Sequence, residues 1–312
     1  MKFSHTPVMP KETMQFLAPQ KGGVYVDCTL GGGGHAELIL KLIGKSGRLI
    51  GIDQDEEALA AARKNLEKYD EQMIYINDNF ANLDSIMDKL GYDKVDGIMI
   101  DLGVSSFQLD SKERGFSFMA DKDAPLDMRM DQRQKLDAYE VVNYYTPEEL
   151  QKILFEYGEE KFTKSIVKEI INSRKEKHIE TTGDLVKLIE RATPPNYRFS
   201  KKPGLFASNT FRAIRMEVNN ELGVIRQILP ASIKRLTSGG RLVVLTFQSL
   251  EDRIVKNVFR EFGTEKSISP ISRETIPATV NMLTRKPIEP SETEKGVNPR
   301  SNCAKLRAIE KI

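Results

Sequence analysis

Apolar runs with the length of strands alternate with amphipathic segments along the first third of the chain. The strand-like runs are 23–30, 48–53, 73–78 and 95–103. Segments with the three- and four-residue spacing of helices lie between them, at 35–44, 55–69 and 80–91. Strands that alternate with helices in this way predict a parallel, doubly wound α/β sheet with helices on both of its faces.

The pattern changes after residue 103 and returns near residue 239. Residues 104–146 are rich in turn formers, and helical segments follow as far as residue 192. The run 210–229 has apolar residues in steps of three and four, which predicts one long amphipathic helix. Strand patterns return at 239–247 and at 305–312, and the last one alternates as an edge strand does. We therefore predict one sheet with a mostly helical insertion between its fourth and fifth strands.

Composition and charge exclude several classes of protein. The chain has 312 residues, of which 39% are hydrophobic and 29% charged, as in globular proteins. Its two cysteines, Cys28 and Cys303, are too few for a disulfide framework or a cysteine-based zinc site, and they favour a cytoplasmic location. We expect neither a signal peptide nor a membrane anchor, because no apolar stretch has the required length. The three scattered histidines indicate no metal site, and the net charge of +2 leaves nucleic-acid binding to local patches.

Four consecutive glycines, 31–34, follow the first predicted strand and precede the first helix. Glycine lets a ligand lie against the backbone, and the start of a helix offers free N–H groups. Ligands of open α/β sheets bind at the carboxyl ends of the strands, where this loop lies. The spacing Gly31-x-Gly33-x-x-Ala36, with Asp53 as a ribose ligand, fits a dinucleotide. S-adenosylmethionine would use the same loop and the same acid, so glycine spacing does not separate the two cofactors.

Polar residues at the other strand ends favour S-adenosylmethionine. Asp27 places a carboxylate at the mouth of the loop, where it would repel a pyrophosphate and attract ammonium and sulfonium groups. The third strand ends in Asp78-Asn79-Phe80, and a polar group followed by an aromatic ring suits an adenine. Asp78 taken alone fits a turn or a helix cap better. The fourth strand ends in Asp101. A dinucleotide-dependent oxidoreductase stays as the alternative from another class.

The same residues carry a resemblance to a known family. The motifs that carry it are HTPVM (5–9), DCTLGGGGH (27–35), IDQD (52–55), DGIMIDLGVSS (96–106), QLD (108–110), RGFSF (114–118), PLDMRMD (125–131), YGEEKF (157–162), TFRAIRMEVNNEL (210–222) and SLEDRIVK (249–256). Nearly end to end, the chain closely resembles the bacterial small-subunit rRNA cytosine N(4)-methyltransferase family, RsmH, also called MraW. The resemblance implies N(4)-methylation of a cytidine in the decoding region of 16S rRNA, with S-adenosylmethionine as methyl donor.

The resemblance also implies a domain organisation and a set of site residues. It implies a class I methyltransferase domain at 1–112 and 213–312, and an inserted helical substrate-recognition domain at 113–212. Carried over position by position, the family's cofactor contacts fall on Gly33, Gly34, His35, Asp53, Phe80, Asp101 and Gln108. Asp101 is also our candidate catalytic residue, as an acceptor for the amino protons of cytosine. The expected partner is small-subunit rRNA or the small ribosomal subunit, and the oligomeric state stays open, with a homodimer as one option.

The expected RNA contacts come from basic residues on the substrate side. The segment 197–215 has five basic residues, no acid and interleaved aromatic rings, as RNA-binding segments have. The candidate RNA-binding residues are Arg129, Lys201, Lys202, Arg212, Arg215 and Arg253. Both Arg129 and Arg253 are equally well explained as halves of structural ion pairs with neighbouring acids.

The chain departs from the family pattern in three places. Phe107 stands where the family usually has Pro, Gln248 stands where it has His, and the segment 205–213 is rewritten, with Arg212 in place of Gln. These changes lie where we expect the substrate to bind, so a methyltransferase that acts on another RNA or on a protein stays an alternative. A non-catalytic RNA-binding protein is a third. Methylation at carbon 5 of cytosine is disfavoured, because Cys28 and Cys303 do not follow the strands where that chemistry needs a nucleophile.

Overall fold

The chain folds into two compact units. The computed structural model describes residues 7–105, 108–109, 111, 113–119, 121–199, 205–267 and 275–312. The first unit comprises Met1–Gly103 together with Leu222–Ile312, and the second comprises Val104–Glu221. The second unit interrupts the first between the fourth and fifth strands, as the sequence pattern predicts. It is wider than the predicted insertion 113–212 at both ends.

A seven-stranded sheet in the order β3-β2-β1-β4-β5-β9-β8 forms the centre of the first unit. Its strands are β1 (Val24–Asp27), β2 (Arg48–Asp53), β3 (Met73–Asn77), β4 (Val95–Asp101), β5 (Leu236–Thr246), β8 (Val280–Met282) and β9 (Lys305–Lys311). Strands β1 to β5 are parallel, and β9 is antiparallel to both of its neighbours. Two short strands, β6 (Lys266–Ser267) and β7 (Thr275–Ile276), form a separate antiparallel pair. The predicted doubly wound α/β class is therefore confirmed.

Strand β9 corrects the sequence-based expectation of an edge strand. It lies between β5 and β8, and its residues 306–309 are all buried. The polar alternation that suggested an edge includes Arg307, which is only 3% exposed. Its guanidinium forms two hydrogen bonds with the carboxylate of Asp252, of 2.6 and 3.1 Å. A charge that is paired in this way can lie inside a sheet, so the polar position did not indicate solvent.

Helices cover the first unit and build most of the second. Those of the first unit are α1 (Pro10–Leu17), α2 (Gly34–Ile43), α3 (Glu56–Asn65), α4 (Leu83–Leu90), α12 (Ser249–Phe262) and α13 (Glu292–Val297). Those of the second are α5 (Ala138–Tyr144), α6 (Pro147–Glu156), α7 (Thr163–Ser173), α8 (Thr182–Ala192), α9 (Pro195–Phe199) and α10 (Ser208–Val218), and α11 (Glu221–Arg235) follows at the boundary of the units. Short 3₁₀ turns span Glu67–Gln72, Phe80–Asn82, Leu205–Ala207 and Pro299–Cys303. None of the helices in the described ranges is long and apolar enough to cross a membrane.

The prediction of one long helix over 210–229 is wrong, because the chain breaks between α10 and α11. Asn220 has a φ of 46°, in the left-handed region that ends helices. The side-chain amide of Asn219 accepts the N–H of Met130 (2.8 Å) and donates to the carbonyl of Met128 (2.8 Å), besides the carbonyl of Arg215 in its own helix (2.9 Å). Apolar periodicity continues through such a break, so it could not reveal it.

Each unit has a hydrophobic core of its own. In the first, apolar residues of β1, β2, β4, β5 and β9 are buried against α1, α2 and α3. In the second, the core joins side chains of α5 to α8 and α10 with those of the loop at 116–130. Strands buried on both faces read as continuous apolar runs, which is why the parallel part of the sheet was recognisable in the sequence.

Candidate active site

The tetraglycine loop crosses from the end of β1 to the start of α2. Gly31 and Gly33 have positive φ values of 51° and 84°, which glycine adopts without strain. A Cβ on Gly33 would lie 2.8 Å from Cδ1 of Leu66, so packing also demands glycine there. The N–H of Gly31 donates to Oδ2 of Asp53 at 2.8 Å. The loop is therefore held against the end of β2 with its backbone open to a ligand.

Asp53, the last residue of β2, supports two backbone segments at once. Its Oδ2 holds Gly31, and its Oδ1 accepts the N–H of Asp55, the N-cap of α3, at 2.9 Å. Burial raises the pKa of Asp53 to about 6, although these hydrogen bonds oppose the shift. Each carboxylate oxygen has a second lone pair. Asp53 can therefore hold the loop and still accept hydrogen bonds from ribose hydroxyls.

A hydroxyl joins the ends of β1 and β4. Oγ1 of Thr29 accepts the main-chain N–H of Asp101 at 2.7 Å. The same side chain bonds the carboxylate of Asp27, which also accepts the N–H of Thr29 at 3.1 Å. Asp27 is 1% exposed, and burial raises its pKa to about 7, with a further contribution from the charge of Asp53. The acid that the sequence placed at the mouth of the loop is thus buried and braced.

The two carboxyl oxygens of Asp101, at the end of β4, have different surroundings. Its Oδ2 lies 3.6 Å from Nδ1 of His35. Its Oδ1 is buried and has no hydrogen-bond partner among the residues that the structure describes. Burial, and to a smaller extent the charges of Asp27 and Glu251, raise the pKa of Asp101 to about 8. A buried acceptor without a donor is unfavourable unless a ligand completes it.

Glu251 brings a fourth acid to this end of the sheet. It is the third residue of α12 and is 1% exposed, and its Oε2 accepts the N–H groups of Phe247 (2.8 Å) and Gln248 (3.0 Å). Gln248, where the family has His, thus lies at the N-cap of α12. Within the described ranges no group of three His, Cys, Asp or Glu could hold a metal ion. The acids instead fit an organic cation, whose charge would lower the raised pKa values of Asp27, Asp53 and Asp101.

The end of β3 is organised as a turn. Asp78 accepts the N–H of Asn79 (2.7 Å) and the side-chain amide of Asn82 (2.8 Å), so it stabilises the turn, as its sequence suggested. Asn79 accepts the N–H of Ala81 (2.9 Å) and donates to Oε1 of Gln54 at 2.8 Å, which ties the end of β3 to the end of β2. Phe80 follows and is partly exposed. An aromatic face is therefore available beside these strand ends.

Six of the candidate cofactor residues lie in the first unit, and the structure adds two further residues to this site. Gly33, Gly34, His35, Asp53, Phe80 and Asp101 all belong to the first unit, on the loops that follow β1 to β4. Thr29 and Glu251 join them, although sequence reasoning had not selected either. Glu251 had a usable signal, because an acid three residues after a polar N-cap is typical of a helix start. Thr29 had none, since its partner Asp101 lies 72 positions away.

Gln108 lies in the second unit and is described there by itself. It is 3% exposed, its N–H donates to Oγ of Ser105 (3.2 Å), and its Oε1 accepts the N–H of Ser105 (3.0 Å). Its side chain is therefore bonded to the residue three positions before it. Lys201, Lys202 and Phe107 lie outside the described residues.

Most of the candidate RNA-binding arginines have internal partners. Arg129 bonds both carboxylate oxygens of Asp127, at 2.9 and 2.6 Å, and Arg215 likewise bonds Glu221, at 2.7 and 3.0 Å. Arg212 donates to the carbonyls of residues 157 and 158, at 3.4 and 2.6 Å. Arg253 differs: it is exposed on the first turns of α12 and has no polar partner in the described part of the chain. Internal hydrogen bonds therefore account for Arg129, Arg212 and Arg215, whereas Arg253 is exposed to solvent.

Comparison with known proteins gives consistent matches over the full length. Residues 2–312 match the profile of the MraW methylase family. The chain is 50% identical over 315 residues to the ribosomal RNA small subunit methyltransferase H of Clostridium botulinum (strain Kyoto), and 46% identical over 316 residues to that of Clostridioides difficile (strain 630). Both alignments cover 100% of each chain. A crystal structure of an rRNA methylase from Streptococcus thermophilus covers 96% of this chain and 95% of its own, with 11% identity and a TM-score of 0.43. The family is shown by the full-length sequence matches and not by this structural similarity.

Proposed function

Because the chain belongs to the MraW methylase family, we propose that it methylates the exocyclic N4 amine of a cytidine in small-subunit rRNA. The predictions of a methyltransferase and of S-adenosylmethionine as its cofactor are confirmed by the family. The substrate is proposed from the relatives, which are named ribosomal RNA small subunit methyltransferase H. The decoding-region cytidine is proposed from the motif resemblance. Since rRNA is cytoplasmic in bacteria, we place the reaction in the cytoplasm.

The observation that supports the cofactor site best is the unpaired acceptor at the end of β4. Oδ1 of Asp101 is buried without a donor, and Asp27 and Glu251 hold further negative charge close to it. A ligand with an ammonium and a sulfonium group supplies both the donors and the positive charge that such a site lacks. A dinucleotide pyrophosphate would add negative charge to it. The acids therefore favour S-adenosylmethionine over the dinucleotide alternative.

We assign the parts of the cofactor to the loops that follow β1 to β4. Asp53 would accept the ribose hydroxyls, and Phe80 would lie against the adenine. The backbone at Gly33, Gly34 and His35 would contact the amino-acid end of the cofactor, where the N-terminus of α2 suits its carboxylate. Asp101 would accept from its ammonium group through one lone pair of Oδ1 and from the reacting amine through the other. Gln108 stays a proposed cofactor contact on the family resemblance alone.

The chemistry requires an amine with an available lone pair. When bound, S-adenosylmethionine supplies an electrophilic methyl group on a cationic sulfur. The lone pair of the N4 amine is delocalised into the cytosine ring, and an acceptor for the amino protons localises it on nitrogen. We propose Asp101 as this acceptor, and as the group that takes the surplus proton once the N–C bond has formed. Positioning of the amine in line with the methyl group supplies much of the remaining rate.

RNA binding would come from both units. Arg253 is the accessible arginine on the first unit, and Lys201 and Lys202 are proposed contacts of the second. An exposed guanidinium suits a phosphate, which contributes affinity without sequence information. Because Gln248 and the segment 205–213 depart from the family pattern, the experiment must also detect methylation of another RNA or of a protein.

The test is genetic, with a chemical readout. The gene would be deleted in its host, and small-subunit rRNA would be digested and analysed by mass spectrometry for N(4)-methylcytidine. We expect loss of the modification, recovery with the intact gene and no recovery with Asp53→Asn. Asp78→Asn is the matched control, because Asp78 holds a turn at the neighbouring strand end, and it should restore methylation. An unchanged modification after deletion would refute this substrate, and comparison of total RNA and protein methylation would then identify the other one.

A further inference from the structure

His35 lies between two parts of the first unit that are far apart in the sequence. It is the second residue of α2 and is 6% exposed. Its Nε2 lies 2.9 Å from the carbonyl oxygen of Val8, and its Nδ1 lies 3.6 Å from Oδ2 of Asp101. Each ring nitrogen therefore faces a different group. A histidine that served only to begin a helix would not need both.

The Val8 contact determines the tautomer of the ring. A carbonyl oxygen can only accept, so Nε2 must carry the hydrogen. In the neutral ring, Nδ1 then has a lone pair that faces Asp101. At 3.6 Å the pair is longer than a formed hydrogen bond, and a small movement of either side chain would close it. The ring can therefore receive or return a proton at Nδ1 without releasing Val8.

The Val8 carbonyl is itself held in place from a second direction. The next N–H along the chain, that of Met9, donates to Oε1 of Glu294 on α13 at 2.6 Å. Met9 is fully buried and has a φ of 49°, a left-handed conformation that a non-glycine residue adopts only when its surroundings impose it. The peptide group between Val8 and Met9 is thus held in place. Its carbonyl oxygen forms a fixed anchor for the imidazole ring.

Asp101 is constrained by the same arrangement. Its main-chain N–H is bound to Thr29, and its Oδ2 faces the anchored ring, which leaves Oδ1 as the unpaired oxygen. The charged groups that face this carboxyl are Asp27 from β1 and Glu251 from α12, both of the same sign as Asp101 itself. Among the described residues, His35 is the one basic group that is paired with Asp101.

We propose that His35 is a positioning residue: it is anchored on Val8 and keeps Oδ1 of Asp101 turned toward the reacting amine. This inference rests on the proposed role of Asp101 and deepens it. In the protonated acid, the hydrogen lies on Oδ2 and faces Nδ1 of His35. When the amine transfers its surplus proton, an N–H bond breaks and an O–H bond forms at Oδ1 of Asp101, while the hydrogen on Oδ2 passes to Nδ1. Oδ1 then releases its proton to solvent and the hydrogen returns from Nδ1 to Oδ2, which restores the acceptor before the next cycle.

Two substitutions separate the two contacts of the ring. The amide nitrogen of His35→Gln reaches the position of Nε2 and can still donate to Val8, but no group remains at Nδ1. The amide of His35→Asn reaches the position of Nδ1 and loses Val8. We expect His35→Gln to keep the thermal stability and cofactor affinity of the wild type while kcat falls on the order of 10-fold or more. We expect His35→Asn to lose stability and to keep a higher kcat than the Gln variant.

Two results would overturn the inference. If His35→Gln has the kcat of the wild type, the ring is only a clamp for the N-terminal segment. If its loss lies wholly in cofactor affinity, the ring contacts the cofactor and does not act through Asp101.

A second readout does not depend on the substrate. In the cofactor-free protein, the imidazole ¹⁵N signals of His35 and the carboxyl ¹³C signal of Asp101 would be titrated by NMR. Two groups that share a proton titrate together, so Nδ1 of His35 should respond over the pH range in which Asp101 titrates. A ring that keeps its Nε2–H form with an unchanged Nδ1 through that range would refute the sharing. Failure of the proposed function would instead appear as an intact titration with no methylation of small-subunit rRNA by the wild type.

Discussion

Thr29 accepts the main-chain N–H of Asp101 in a hydrogen bond of 2.7 Å that joins the carboxyl ends of β1 and β4. The neighbouring acid, Asp27, is bonded to the same threonine. One hydroxyl therefore braces the two acids between which we place the reactive end of the cofactor. The sheet supplies only the approximate position of these strand ends, and Thr29 fixes their local geometry.

Replacement of Thr29 by valine tests this brace, because valine keeps the shape of the side chain and removes the hydroxyl. The buried N–H of Asp101 would lose its acceptor, which costs about 1–3 kcal/mol. We expect a loss of that size in the free energy of unfolding in urea, together with weaker binding of S-adenosylmethionine in calorimetry. Thr29→Ser keeps the hydroxyl and should lie close to the wild type. Equal stability of the valine and serine variants would contradict the assignment.

The acids of the site predict how stability depends on pH. Burial raises the pKa of Asp53 to about 6, of Asp27 to about 7 and of Asp101 to about 8, from an ordinary 3.8. Above about pH 4 the unfolded chain has released protons that the folded, cofactor-free protein still holds, so this contribution to stability declines as the pH rises toward about 8. Urea unfolding at a series of pH values measures the slope. Asp27→Asn removes one titrating group and should make the slope shallower, and an unchanged slope would count against the raised pKa of Asp27.

Cofactor binding should release protons near neutral pH. The ammonium and sulfonium charges lower the pKa values of the surrounding carboxyl groups, so groups that are protonated in the free protein ionise in the complex. Calorimetry in two buffers with different ionisation enthalpies measures the number of protons released. We expect affinity to increase from pH 6 to about pH 8. A binding enthalpy that is the same in both buffers would exclude the linkage.

Gly103, two residues after Asp101, has a φ of 103°, which side-chain-bearing residues rarely adopt. A Cβ there would lie 3.7 Å from Cδ2 of Phe247, so strain would arise from the backbone rather than from a clash. We expect Gly103→Ala to cost about 1–3 kcal/mol of stability and to lower kcat at temperatures where the variant is folded. Gly91→Ala is the matched control, because Gly91 has a φ of 77°, has no atom near a new Cβ and lies at the end of α4. It should lose stability and keep kcat, and a similar loss of kcat in both variants would show that Gly103 has no special role.

Arg253 is the accessible member of the arginines proposed to contact RNA. Removal of a phosphate contact weakens binding at low salt and reduces the salt dependence of affinity by about one ion. Arg253→Ala should therefore raise the KM for the small-subunit substrate and flatten its salt dependence, with kcat nearly unchanged. Arg260→Ala, at the opposite end of α12 and also exposed, should leave both unchanged. Identical salt dependence of the two variants would remove Arg253 from the RNA surface.

The sequence gives stronger local signals for the proposed cofactor loop than for the proposed RNA contacts. The glycines and strand-end acids lie within a few residues of strong strand and helix patterns, so their positions follow from local signals. For the arginines proposed to contact RNA, no local signal shows which side chains are available. Arg215 is paired with Glu221, six positions on and in another helix, across a break that apolar spacing did not reveal. Composition shows that a segment is basic, but it does not show which of its charges an internal acid neutralises.

The sequence by itself determined the order of the elements, the place where the sheet is interrupted, the glycine loop and the acids that end the strands. Apolar period and turn-forming residues are local properties of the chain, and the family motifs are read from the same letters. Only the tertiary structure decided that β9 is internal, that Thr29 holds Asp101 and that His35 lies between Val8 and Asp101. These contacts join residues that are 27 to 72 positions apart. They exist because packing of the sheet brings the groups close together, and no local pattern encodes that proximity.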